Sequence, residues 1–85
     1  MKKKFELVFT REFVKRLKNL DKDNQIRILR DLKILEEQPF VGKRLAGRLS
    51  EVMPFRVGEY RVIYQVSEKI IIIRTVSHRE QVYKK

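Results

Sequence analysis

The sequence predicts an α+β domain of order β-α-α-β-β-β, an antiparallel sheet with an N-terminal αα-hairpin packed on one face. Two observations carry this. Apolar residues recur at helical spacing from Phe13 to Leu35, and β-rich runs separated by turns of two or three residues fill positions 52–76. The 85 residues read as one domain, 1–85, with a core near the lower size limit for independent folding.

Phe5, Leu7 and Phe9 alternate with Glu6, Val8 and Thr10, as a short N-terminal strand requires. Thr10 can cap a helix whose Phe13, Leu17 and Leu20 share one stripe, with Glu12 in the first turn where the helix dipole favours it. Asp21 or Asp23 restarts a second helix. In it Ile28, Leu32 and Leu35 share a face with Leu29 beside them, and Pro39 is expected to stop it. So short a turn between the helices predicts a hairpin.

A connecting segment, Phe40 to Ser50, carries Gly42, Gly47, Lys43, Arg44 and Arg48. Strands are predicted at Val52–Val57, Tyr60–Val66 and Ile70–Val76, with tight turns at Gly58-Glu59 and Ser67-Glu68-Lys69. Such connections permit only antiparallel neighbours, so the three form a meander. The run Ile70-Ile71-Ile72-Ile73 is apolar on both faces and belongs in a central strand. Tyr60 and Tyr64 alternate with Val62 and read as core residues with a wet hydroxyl.

The chain holds 21 Lys plus Arg against 11 Asp plus Glu, a formal charge of +10, which points to a polyanionic partner, nucleic acid first. The excess is steeper in residues 38–85, with 10 basic and 4 acidic groups. The absence of cysteine excludes disulfides, thiolate metal sites and thiol nucleophiles. No stretch approaches the roughly 20 apolar residues of a membrane span, and Lys2-Lys3-Lys4 precedes no apolar signal core. A cytoplasmic protein without a membrane partner, metal or cofactor is the expectation.

The residues that carry chemistry gather in 55–85, where Arg56, Arg61 and Arg74 sit on β-type runs that lead to Ser77, His78, Arg79 and Tyr83. Basic and aromatic groups on a rigid sheet edge, with few carboxylates among them, suit the gripping of phosphate. Gly58, Tyr60-Arg61 and Ile63-Tyr64, then His78-Arg79 followed by Val82-Tyr83, resemble the RelE/ParE toxin superfamily. The resemblance spans nearly the whole chain, and the C-terminal set is more similar to the RelE branch, the mRNA interferases of type II toxin–antitoxin modules.

That resemblance implies a ribosome-dependent endoribonuclease cutting mRNA in the A site. The ribose 2′-OH would attack the adjacent phosphate without a metal, which also explains a preference for RNA over DNA. It implies an acidic RelB-like antitoxin as partner, the ribosome and mRNA as target, and promoter DNA bound only by the toxin–antitoxin complex. Arg61 matches the arginine that steadies the scissile phosphate, a role its planar fork suits. Arg79 matches the second arginine, at the leaving group, where electrostatic stabilisation is the preferred role. Tyr83 matches the tyrosine that stacks on a base and orients or activates the 2′-OH. Arg56 matches one of two basic residues on the preceding strand, the other position being Pro54 here. His78 could compensate, if a turn at Ser77 brought it to the face of Arg79; in a continuing strand the two point apart. Lys43, Arg44 and Arg48 match the region that holds RNA. With one histidine in the chain, a two-histidine mechanism is excluded, and the base stays open between Tyr83, His78 and a cation-activated alternative.

Each residue also has a plainer reading: Arg61 paired with Glu59 or Glu51, Arg79 with Glu80, Tyr83 a packing lid, His78 structural. Two further functional classes stand beside the nuclease. One is a ParE-like inhibitor of DNA gyrase on the same fold, and the other a catalytically weakened module that binds antitoxin or nucleic acid, to which Pro54 lends weight.

Overall fold

The computed structural model describes residues 5–41 and 52–79. In chain order the elements are β1 (Glu6–Phe9), α1 (Arg11–Lys18), α2 (Lys22–Leu32), β2 (Met53–Val57), β3 (Tyr60–Ser67) and β4 (Ile70–His78), with a 3₁₀ turn at Lys33–Glu36.

Thr10 starts α1 by accepting the Phe13 N–H on its hydroxyl oxygen at 3.1 Å, while the same hydroxyl donates to the Arg74 carbonyl at 2.8 Å. One residue thus caps a helix and ties it to β4. A second tie lies two residues on, where the Thr75 hydroxyl donates to Glu12 at 3.0 Å and the same carboxylate oxygen accepts from Arg16 Nε. Asp21 takes the cap position of α2, yet its carboxylate binds the Asn24 side chain rather than a backbone N–H. The α-helix ends at Leu32 and tightens into the 3₁₀ turn, earlier than a stop at Pro39 implies; the tighter turn still buries Leu35.

The sheet order is β1-β4-β3-β2. The meander β2-β3-β4 is antiparallel as expected, and β4 is central, with Ile71 and Ile73 fully buried. The sheet as a whole is mixed rather than antiparallel, because β1 runs parallel to β4, Glu6 opposite Ile70 and Phe9 opposite Ile73. Connection length explains the difference. Hairpins force antiparallel neighbours, whereas β1 reaches β4 only after both helices and two other strands, a path long enough to return in the same direction.

α1 packs over β4 and α2 over β2, on one face of the sheet. Phe13, Leu17, Ile28, Leu32 and Leu35 meet Met53, Val57, Val62, Tyr64, Val66, Ile71, Ile73 and Val76 in one hydrophobic cluster. Tyr64 departs from the expected wet hydroxyl: its side chain is fully buried and donates to the Pro39 carbonyl at 2.8 Å. That bond pins the segment after the helices to the sheet.

Candidate active site

The site is set by the Gly58-Glu59 turn between β2 and β3. Two residues join the strands, with Val57 opposite Tyr60, and Gly58 has φ +61°. Such a φ at the first central position gives the turn the twist of its strands, and glycine reaches it without steric cost. The space beside Gly58 is also taken. The Arg27 guanidinium, at the end of a long side chain from α2, lies 2.9 Å from where a Cβ would project and rests against the bare backbone of the turn.

The register beyond this turn places Arg56 directly opposite Arg61. Alternation sends Val57, Val62 and Tyr64 into the core, so the two arginines stand on the other face, Arg56 exposed and Arg61 half-buried. Ser77 of β4 pairs with Arg61 on its far side. Arg79, just past β4, donates its backbone N–H to the Glu59 carbonyl at 2.8 Å, which holds the strand end against the turn. A cavity of about 40 Å³ results, lined by Arg56, Gly58, Glu59, Tyr60, Arg61 and Arg79. It has room for about three waters, the scale of a small tetrahedral oxyanion. Among the described residues, no carboxylate pairs with the guanidinium of Arg56, Arg61 or Arg79. Three arginines, whose guanidinium forks make charge-assisted bonds to oxyanions, thus line one cavity of about phosphate size.

Pro54 lies two residues from Arg56 on the same face, exposed and opposite Ile63. It is tolerated there because β2 is an edge strand. His78 does not join the arginine cavity. β4 runs through Ser77 without a turn and ends at His78, so His78 and Arg79 diverge. His78 faces Tyr60 across the β3–β4 pair, ring edge to ring face at 5.2 Å. It lines a second cleft, of about 310 Å³, with Arg16, Asn19, Leu20 and Val76. Its Nε2 meets Glu59 Oε1 at 3.1 Å. Tyr83, Lys43, Arg44, Arg48, Glu51 and Glu80 lie outside the described residues. The sequence reads Glu59 as half of a tight turn and as a possible partner of Arg61, and gives Arg27 no place beside that turn. The signal for Glu59 was its place in a tight turn directly before Tyr60-Arg61. Nothing in the sequence marks Arg27.

Among the described residues no three His, Asp or Glu side chains gather to hold a metal ion, and no helix is long and apolar enough to cross a membrane.

Residues 7–83 match the family of ParE toxins of type II toxin–antitoxin systems, parDE. The chain belongs to the RelE/ParE toxin superfamily. A relative from Methanocaldococcus jannaschii, named "Putative toxin RelE1", is 36% identical over 88 residues, covering 95% of this chain and 97% of its own. Among solved structures, the archaeal RelE–RelB complex of Pyrococcus horikoshii superposes with TM-score 0.76 at 30% identity, over 89% of this chain and 96% of that one. The RelBE2 toxin–antitoxin complex of Mycobacterium tuberculosis gives TM-score 0.72 at 25% identity, over 88% and 98%. This member of the RelE/ParE superfamily is therefore a type II toxin, and its α+β fold with a four-stranded mixed sheet is the RelE fold.

Proposed function

We propose that this toxin is a ribosome-dependent endoribonuclease that cuts mRNA in the A site. The observation that carries the reading is the convergence of Arg56, Arg61 and Arg79 on one phosphate-sized cavity. In the reaction the ribose 2′-oxygen bonds to the adjacent phosphorus and its proton passes to a base. The P–O5′ bond then breaks, leaving a 2′,3′-cyclic phosphate and a 5′-hydroxyl that takes up a proton. Arg61 and Arg56 hold the non-bridging oxygens as charge grows on the phosphorane, and Arg79 steadies the departing oxygen. These are donors aimed at charge that develops in the transition state, the most effective use of a fixed cation. Tyr83 is the residue assigned to the base and the 2′-OH, and Lys43, Arg44 and Arg48 to the flanking RNA. His78 is not assigned the role of base, because its side chain lines the neighbouring cleft and not the arginine cavity.

The partner proposed is an acidic RelB-like antitoxin, as in the RelE–RelB and RelBE2 complexes, with promoter DNA bound by the pair and the cytoplasm as the working compartment. Added to translating ribosomes, the protein is expected to yield mRNA cut within A-site codons. Intact mRNA alongside cleaved, stalled DNA in a gyrase reaction sinks the nuclease reading. It would favour the ParE-like alternative, for which the matched family speaks.

A further inference from the structure

Glu59 stands between two neighbours that face different ways. Its carbonyl accepts the Arg79 N–H, its carboxylate meets His78 Nε2, and among the described residues it is the one acid lining the three-arginine cavity. We propose that His78 is a positioning residue that holds the Glu59 carboxylate away from Arg56, Arg61 and Arg79, keeping their cavity cationic for an RNA phosphodiester. The identity of that anion rests on the endoribonuclease reading.

The direction of control follows from exposure. The His78 side chain is 29% exposed and set against the Tyr60 ring, whereas Glu59 is 68% exposed. The held ring restrains the freer acid, not the reverse. A carboxylate accepts only, so the Nε2–H donates to it in the neutral tautomer and in the imidazolium alike. An exposed pair of this kind adds little to folding stability. Its consequence is the location of one negative charge. Released, the acid has three guanidiniums around the cavity it lines, and the guanidinium fork pairs with a carboxylate as readily as with a phosphate. Glu59 then becomes an intramolecular competitor of the substrate.

The test is His78→Phe, which keeps an aromatic ring beside Tyr60 and cannot bond Glu59; His78→Ala serves if that variant does not fold. Its crystal structure is expected to show the Glu59 carboxylate within salt-bridge distance of Arg56, Arg61 or Arg79. A carboxylate that stays where it is overturns the inference, whatever the protein's activity. On translating ribosomes, mRNA cleavage by His78→Phe is expected to fall by about 10-fold, short of the ~10²–10³ for outright removal of a donor. The double variant His78→Phe/Glu59→Gln is expected to recover most of the loss, since a neutral amide no longer competes. Cleavage at the wild-type rate, or a loss that the second substitution leaves untouched, overturns the inference. A wild-type protein that cuts no mRNA overturns the nuclease reading instead, and the position of the carboxylate still decides this one.

Discussion

Arg56 and Arg61 stand directly opposite each other across the β2–β3 pair, one register step from the turn-closing pair Val57 and Tyr60. In a two-residue hairpin the closing pair is hydrogen-bonded and the next is not, so the arginine pair occupies the site where facing side chains come closest. Like charges there oppose folding. The fold tolerates the repulsion, and an anion between the two guanidiniums removes it.

Replacing one of the pair separates stability from binding. Arg56→Thr puts a good strand former at an exposed edge position and is expected to raise the unfolding free energy by about 0.2–1 kcal/mol in urea. The same variant is expected to bind a non-cleavable 2′-O-methyl oligonucleotide more weakly, with a shallower dependence of log affinity on log salt, by roughly 0.7 for one lost phosphate contact on a single strand. A salt slope equal to wild type contradicts Arg56 as a phosphate contact.

Arg61→Ala and Arg79→Ala are each expected to lower single-turnover mRNA cleavage on ribosomes by ~10²–10³. Folding should survive both, because Arg61 is half-buried on the face away from the core, and the tie from Arg79 to Glu59 uses backbone atoms that alanine retains. Unchanged far-UV circular dichroism alongside the lost activity is the expected pair of results. Full activity in either variant argues against the three-arginine site.

The elements of this fold were legible in the sequence because each rests on local pattern. Thr10 before a stripe of Phe13 and Leu17 specifies a capped helix, and Gly58-Glu59 between alternating runs specifies a hairpin and with it the Arg56–Arg61 pairing. What was not legible depends on distant parts of the chain. The direction of β1 is decided by a partner strand more than 60 residues away, and no period in Phe5–Thr10 encodes it. The dry hydroxyl of Tyr64 required knowing that Pro39 comes to rest against β3. The split between His78 and Arg79 turned on whether β4 stops at Val76 or runs two residues further, and helix or strand ends are the part of a pattern least fixed by local residues.

The two hairpin turns differ in a way that predicts opposite responses. Gly58 has φ +61°, so Gly58→Ala meets backbone strain, while the flexible Arg27 side-chain tip against it can move aside. It is expected to lower stability by about 1–2 kcal/mol, with little of the loss recovered in Gly58→Ala/Arg27→Ala, since the strain lies in the backbone. Glu68, at φ 57° in the β3–β4 turn, already bears that strain with a side chain. Glu68→Gly is expected to gain about 0.5–1 kcal/mol, the relief of strain less the entropy of a freer unfolded chain. Chemical denaturation of the three variants measures all of this, and equal responses at the two turns contradict the account.

Tyr64 and Tyr60 lie on the same face of β3, yet removal of their hydroxyls is expected to have unequal cost. The Tyr64 side chain is fully buried and its hydroxyl donates to the Pro39 carbonyl at 2.8 Å. Tyr64→Phe leaves that carbonyl without this donor where little water reaches, and a stranded buried acceptor costs about 1–3 kcal/mol. Tyr60 is half-buried beside an open cleft, so water can take the place of whatever its hydroxyl meets. Tyr60→Phe is expected to stay within about 0.5 kcal/mol of wild type. Because Pro39 begins the path toward the connecting segment with Lys43, Arg44 and Arg48, Tyr64→Phe is also expected to speed hydrogen exchange at Gln38 and Phe40 relative to β4. Exchange there that is unchanged in Tyr64→Phe contradicts the bond as the anchor of that segment.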